Sequence, residues 1–185
     1  METEYHKLYD LENYLFKEVS IRFAEFGYLN AFDFFCIVIW KANRSKSKIA
    51  RRILSHGYPN LESAVVALTK SLANAADDKS RMKALIIDWG FKLPMASAIL
   101  TVLYPVSFTV YDFRVCEALG GFFNMQNKSN FDSLWNEYES FVAAVNKAAP
   151  SEYSLRDKDR WLWGHSFYQQ LQENISEKFQ KKVGD

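Results

Sequence analysis

The residues best suited to chemistry lie between residues 83 and 119, where a glycine turn precedes a helix. The turn is Trp89-Gly90-Phe91-Lys92, and Pro94 stands in the first turn of the next helix, where its missing N–H costs nothing. Backbone N–H groups of a glycine turn and of a helix N-terminus converge on one anion, and glycine lets the backbone approach a phosphate closely. The stretch therefore has two interpretations: two ordinary packed helices with a connection, or a hairpin that grips a phosphate.

A carboxylate follows this hairpin at the start of another helix. The segment Phe108-Thr109-Val110-Tyr111 is predicted to be extended, and Asp112 opens the helix FRVCEAL. An aspartate in this position commonly caps a helix and contributes about 1 kcal/mol. Asp112 is also a candidate catalytic carboxylate, and the two roles are compatible. Arg114 is predicted to lie near the same site, where it would contact a phosphate or pair with Asp112 and keep it ionised.

A basic block lies between Asp33 and Glu62, a stretch with no acidic residue. Its cations are Lys41, Arg44, Lys46, Lys48, Arg51 and Arg52. One interpretation is a solvated helix face whose charge is balanced by acidic residues from elsewhere. The other is a patch that faces phosphates. Lys41 and Arg44, at the end of a central helix, are the candidate phosphate contacts, although the helix dipole alone favours cations at that end.

Hydrophobic periodicity predicts an all-α fold, a single-domain bundle of about 8–10 helices over residues 1–185. The 185 residues are 49% hydrophobic and 16% aromatic, enough for a sizeable core, and seven Gly and four Pro are too few for a turn-rich β fold. Helices are predicted from Leu8 to near Gly27, over residues 30–43, after a cap at Asn60, after Asp77-Asp78, and over residues 131–149. A last helix is predicted from about Phe167 to Lys181, and the preceding stretch 155–163 is predicted to be a salt-bridged helix carrying core tryptophans.

Composition excludes several classes of site. The net charge of +1 gives no global field that would favour nucleic acid or membrane, so any basic footprint must be local. Cys36 and Cys116 are predicted to be buried free thiols, and two cysteines cannot build a four-cysteine zinc or iron–sulfur site. The three histidines have no metal-site spacing, and no cofactor is expected. The longest apolar run is broken by Asp33, and no signal peptide is seen, so we expect a cytoplasmic protein with no membrane partner.

The order of hairpin, helix, extended crossing and aspartate resembles the helix-hairpin-helix DNA glycosylase superfamily, most closely its 8-oxoguanine DNA glycosylase branch. Gly90 matches the first hairpin glycine and Ala96 the early helical alanine of that pattern. Ile99 and Leu100 match its buried positions, and Asp112 matches its aspartate. The resemblance spans about residues 30 to 119.

The resemblance implies a DNA partner, a duplex with a damaged or modified base. Gly90, Phe91, Lys92 and Leu93 would grip a backbone phosphate, with Lys41, Arg44 and Arg114 as further DNA contacts. Asp112 would be the catalytic carboxylate, stabilising positive charge on the deoxyribose or activating the attacking water. The base itself would be extruded from the duplex.

Two positions depart from the family pattern. Lys92 replaces the second hairpin glycine, and Pro94 occupies the position of the family's catalytic lysine. We therefore expect base removal by water attack without a strand-nicking step, and Lys92 would act as a nucleophile only in a remodelled hairpin. Two alternatives stay open at this point: a catalytically inactive module that binds nucleic acid or protein, and a helical protein of another role. The lesion and the oligomeric state are not defined by the sequence.

Overall fold

The computed structural model describes residues 5–179. These residues form helices and turns without a β-strand, which confirms the all-α prediction. The α-helices are α1 (Leu11–Tyr14), α2 (Ser20–Phe26), α3 (Ala31–Ala42), α4 (Lys46–Leu54), α5 (Leu61–Ala73), α6 (Asp78–Lys83), α7 (Leu93–Leu103), α8 (Phe113–Leu119), α9 (Phe131–Ala148) and α10 (Leu155–Glu173). Three π-helical segments extend them, at Leu15–Val19, Ala84–Asp88 and Asn174–Lys178, and 3₁₀ turns lie at Tyr5–Leu8, Asn43–Ser45 and Met125–Asn127.

The chain divides into two compact units, one up to Phe108 and the other from Thr109 onward. Helix α7 is the core of the first unit. Ten of its eleven residues are buried, and the helix packs against α2, α3 and α6. The helix is therefore buried all round, and not only along the apolar stripe that the sequence predicted. Its polar residue Thr101 is satisfied locally, because the hydroxyl donates to the Ser97 carbonyl at 2.7 Å.

Side-chain caps set the helix boundaries where the sequence predicted them. The side chains of Asn30, Asn60 and Asp77 each accept a hydrogen bond from the backbone N–H three residues later, and helices α3, α5 and α6 begin after them. Such caps satisfy N–H groups that have no partner within the helix. Helix α2 ends at Gly27, which adopts the left-handed conformation with φ 74°.

A buried carboxylate ties the first helical segment of this unit to α3. Asp33 is only 2% exposed, and its carboxylate accepts hydrogen bonds from the Arg22 guanidinium at 2.9 Å and the Tyr14 hydroxyl at 2.8 Å. Burial, together with the neighbouring Asp33 carboxylate, raises the pKa of Tyr14 to about 12. The hydrogen bond to Asp33 raises the pKa of Arg22. The Tyr14 hydroxyl is therefore neutral at neutral pH, and Arg22 is the cation of the triad.

The two cysteines are free and buried, as predicted. Burial raises the pKa of Cys36 to about 11, so this thiol is protonated at neutral pH. None of the helices within residues 5–179 is long and apolar enough to cross a membrane.

Helices α8, α9 and α10 pack on one another in the second unit. The segment that leads into α8 is held by side chains of the other two helices. The Tyr138 hydroxyl donates to the Thr109 carbonyl at 2.7 Å, and the Val110 N–H donates to Asp159 at 3.4 Å. Asp159 is 2% exposed and pairs with Arg156. These contacts fix the backbone just before Asp112.

Two predictions about the C-terminal helix are wrong. The helices predicted over residues 155–163 and from Phe167 are one helix, α10, which begins at Leu155 after the Ser154 cap and stays helical through Gly164. The predicted core tryptophans of this stretch are instead exposed, Trp161 by 39% and Trp163 by 43%, whereas Leu162 is buried. The predicted salt bridges do form, between Arg156 and Asp159 and between Arg160 and Asp157. The predicted helix end near Lys181 lies outside the described residues.

The Asp33 network predicts a large difference between three substitutions. Arg22→Met should lower the free energy of unfolding by about 3 kcal/mol, because it leaves the buried Asp33 charge without its cation. Tyr14→Phe should cost about 1–2 kcal/mol, because it removes two hydrogen bonds, one donated to Asp33 and one accepted from Arg22, while the carboxylate keeps its guanidinium. Glu18→Gln, which removes a partly exposed partner of Arg22, serves as the control and should cost less than either. Urea denaturation measures all three, and equal costs for Arg22→Met and Glu18→Gln would contradict a structural role for the buried pair.

Candidate functional site

The predicted hairpin is a four-residue turn between the π-helical segment Ala84–Asp88 and α7. Gly90 has φ 66°, a left-handed conformation that favours glycine. The Trp89 N–H donates to the Ala84 carbonyl at 2.9 Å, and the Phe91 N–H donates to the Leu85 carbonyl at 2.8 Å. Gly90 therefore terminates the preceding helix, in the manner of a left-handed C-terminal cap, and turns the chain into α7.

The hairpin residues divide into those used inside the protein and those that face outward. The side chains of Phe91 and Leu93 are each 3% exposed, and the Phe91 N–H is already bound to Leu85. Lys92 is exposed, and its carbonyl accepts from the Met95 and Ala96 N–H groups. Within residues 5–179, the N–H groups of Lys92 and Leu93 have no hydrogen-bond acceptor. These two donors, at the N-terminus of α7, are the backbone groups that an anion would meet.

A pocket of about 200 Å³ lies at this end of α7. Four cationic side chains line it, together with Ser45 and an apolar floor, and no acidic residue belongs to its lining. The lining residues are Lys41, Ala42, Ser45, Lys48, Ile49, Arg52, Phe91, Lys92, Pro94 and Met95. All of them belong to the first unit. The positive end of a helix dipole and four cations thus face the same space, an arrangement that attracts an anion.

Helix α4 supplies the cations that the sequence did not single out as site residues. Lys48 and Arg52 belong to the predicted basic block, and with Ser45 and Ile49 they recur at steps of three and four residues, which places all four on one helix face. Neither Lys48 nor Lys92 forms an ion pair within the described part of the chain. The spacing of these residues could have indicated a common helix face, but only the fold shows that this face is directed to the hairpin.

Arg52 joins α4 to the hairpin directly. Its guanidinium donates a hydrogen bond to the Gly90 carbonyl. A Cβ added at Gly90 would lie 2.5 Å from the Arg52 Nη1 atom, so a larger residue would push the guanidinium away from the turn. This contact holds the basic face of α4 against the turn.

The structure separates the two predicted contacts at the end of the central helix. Lys41 lines the pocket, whereas Arg44 is exposed in the 3₁₀ turn Asn43–Ser45 and is not among the lining residues. Lys41 and Lys92 are therefore brought together in one pocket, and Arg44 lies outside it.

Asp112 belongs to the second unit and caps α8, as predicted. Its Oδ1 atom accepts a hydrogen bond from the Arg114 N–H at 3.0 Å, and the residue is half-buried. The Arg114 guanidinium packs over the rings of Trp163 and Phe167, at 5.1 and 5.3 Å from the ring centroids, and donates to Gln170 at 2.9 Å. The aromatic and amide partners of this guanidinium come from α10, and sequence spacing gave no signal for them.

Comparison with known proteins adds no assignment, since no protein-family model, curated protein or solved structure matches the chain. No group of three or more His, Cys, Asp or Glu side chains in residues 5–179 is arranged to hold a metal ion.

A comparison of two glycines with the same φ distinguishes the cost of backbone strain from the cost of losing the Arg52 contact. Gly90→Ala and Gly120→Ala both place alanine at φ 66°, but an added Cβ at Gly120 would meet nothing within 4 Å. Gly120→Ala should cost about 1 kcal/mol of unfolding free energy from the left-handed backbone alone. Gly90→Ala should cost about 1–2 kcal/mol more, because the guanidinium must leave the carbonyl to which it donates.

A double-mutant cycle isolates that extra cost. Arg52→Ala should destabilise the wild-type protein clearly but have a much smaller effect in the Gly90→Ala background, since the contact is already lost there. Chemical denaturation measures each corner of the cycle. Additive effects would show that the Arg52–Gly90 contact does not hold the turn.

Proposed function

We propose that this protein binds DNA in the manner of a helix-hairpin-helix DNA glycosylase, with the pocket at the N-terminus of α7 holding one backbone phosphate. The observation that supports this best is the convergence of Lys41, Lys48, Arg52 and Lys92 on that helix end. A phosphate there would accept from the N–H groups of Lys92 and Leu93 and would be surrounded by cations. Such a contact fixes the position of a strand without reading its sequence.

The charge distribution favours a phosphate over a neutral ligand. The chain as a whole carries a net charge of only +1, so the cations of the pocket are a local concentration and not a consequence of a basic protein. Crowded cations repel one another when the pocket is empty, and a bound anion removes that repulsion. Counterions released from the DNA add a salt-dependent gain in binding free energy.

For the chemical step we propose base removal with Asp112 as the catalytic carboxylate. Water attacks C1′ of the deoxyribose, the N-glycosidic bond breaks with its electron pair on the departing base, and a proton of the water passes to the carboxylate. Asp112 also stabilises the positive charge that develops on the sugar. The place of Asp112 at a helix N-terminus favours a negatively charged side chain there.

Pro94 at the position of the family lysine supports a reaction without a covalent enzyme–sugar intermediate. Proline has no amine that could form a Schiff base. Lys92 has an amine and lines the phosphate pocket, where its ammonium group is suited to charge pairing.

A second candidate function is a catalytically inactive module that binds nucleic acid or protein. The observation that favours it is the hydrogen bond from the Arg114 N–H to Asp112, since a helix cap by itself accounts for an aspartate at this position. Lys92, in place of the second hairpin glycine, also favours the inactive module.

Salt-dependent binding to duplex DNA tests the phosphate pocket. Lys48→Ala and Lys92→Ala should each weaken binding and reduce the slope of log K against log salt by about 0.9, the loss of one phosphate contact. Lys46→Ala is the matched control, because it removes the same charge from the same helix at an exposed residue outside the pocket lining. Fluorescence anisotropy across a salt series measures the slopes. Equal slopes in the wild type and all three variants would remove the pocket from DNA binding.

Base release from a panel of duplexes with damaged bases tests the role of Asp112. Asp112→Asn keeps a capping oxygen and should leave stability unchanged, yet reduce base release by about a hundredfold or more. Asp112→Ala should lose both activity and about 1 kcal/mol of stability. Undiminished release by Asp112→Asn would remove Asp112 from the mechanism, and a wild type that binds DNA but releases no base would favour the binding module.

Borohydride trapping belongs to the same assay. We expect no covalent protein–DNA product, and a product that disappears in Lys92→Ala would instead identify Lys92 as a nucleophile.

A further inference from the structure

An aromatic platform adjoins the phosphate pocket in the first unit. The His56 ring lies 4.3 Å from the Trp89 ring between centroids, and the Tyr58 ring is stacked on Trp89 at 5.9 Å with an angle of 16° between the ring planes. Trp89 is 7% exposed, whereas Tyr58 is 36% exposed and His56 is also exposed. The buried Trp89 ring thus supports the two accessible rings of His56 and Tyr58.

The loop that carries these rings is held at both ends. It follows α4, where the His56 and Gly57 N–H groups donate to the carbonyls of Ile53 and Leu54. It ends at Asn60, which caps α5. Gly57, with φ 85°, supplies the left-handed residue that turns the chain between them. A short loop fixed in this way presents its rings with little further loss of conformational entropy on binding.

The platform and the pocket share their supporting elements. Trp89 directly precedes Gly90 and lies three residues before Lys92. The Cα atoms of Trp89 and Lys92 are therefore at most about 11 Å apart. Helix α4 contributes Arg52 to the pocket, and the platform loop begins where this helix ends. A nucleotide whose phosphate occupies the pocket therefore places its own base, or that of its neighbour, within reach of the platform.

We propose that the rings of Tyr58 and His56, backed by Trp89, form a stacking site for an unpaired base of the DNA strand whose phosphate occupies the pocket. The proposal rests on the proposed function and names its substrate class: DNA with an unstacked nucleotide at the point of contact. Cations beside an aromatic surface suit this ligand, because the phosphate meets the charges and the face of the base meets the ring. Stacking of this kind tolerates any base, since every base has a π-face.

The test compares two DNA duplexes that differ only in the presence of one base. Both carry a single bulged nucleotide, which in one has its base and in the other is abasic, so that the phosphate charge is the same. The wild type should bind the base-containing bulge about tenfold more tightly than the abasic one. Tyr58→Leu should abolish that preference and leave the affinity for the abasic bulge unchanged, whereas Tyr58→Phe should keep the preference.

Tyr153→Leu is the control for loss of an exposed tyrosine, since Tyr153 is 40% exposed and lies in the second unit. This variant should keep the wild-type preference. A fluorescent purine analogue in the bulge gives a second readout, because its emission falls when it stacks on a ring in the wild type and recovers in Tyr58→Leu.

The outcomes distinguish failure of the stacking site alone from failure of the proposed function. Equal wild-type affinity for the two bulges, with binding that still depends on Lys48 and Lys92, would overturn the stacking site and leave the pocket intact. Parallel weakening of both duplexes by Tyr58→Leu would also overturn it. Absence of binding to either duplex at low salt would overturn the stacking site together with the proposed function.

Discussion

The hydrogen bond from the Arg52 guanidinium to the Gly90 carbonyl is the contact on which the candidate site depends. The Gly90 carbonyl lies just past the end of the preceding helix, and the guanidinium binds it strongly because the hydrogen bond is charge-assisted. Packing of α4 against α3 and α5 positions its basic face, and the Arg52 bond links that face directly to the turn before α7. Lys48 and Lys92 consequently line one pocket, a convergence of charge that distinguishes it from an ordinary basic helix.

Burial of α7 gives this contact its rigidity. Ten of the eleven residues of the helix are buried, so its N-terminus cannot shift without disturbing the core of the first unit. The pocket consequently lies at the end of the helix that forms the core of that unit. A phosphate site built in this way has its backbone donors fixed before the ligand arrives, which lowers the entropic cost of binding.

The sequence predicted the local features well and the tertiary ones poorly, for a physical reason. The asparagine and aspartate caps and the glycine turn act within four residues of themselves, so their effect can be inferred from spacing, as at Asn60 and Gly90. Burial depends on which elements meet. Trp161 and Trp163 were predicted to be core residues and are exposed, because α10 directs Leu162 inward instead. Arg52 was recognised as part of a basic block, but its bond to Gly90, 38 residues away, had no local signal.

Two aspartates in the first turns or caps of helices show what a catalytic carboxylate requires beyond its charge. Asp33 lies in the unit that contains the pocket, yet it is 2% exposed and its oxygens are bound by Arg22 and Tyr14. A carboxylate held in this way cannot approach a sugar or a water without breaking the network that stabilises the fold. Asp112 is half-buried, and its Oδ1 atom caps α8 by accepting from the Arg114 N–H. A cap of this kind leaves the charge near the surface and fixes the side-chain rotamer, which are the two properties that stabilising a cationic sugar demands. The structural role of Asp112 is therefore compatible with catalysis, and that of Asp33 is not.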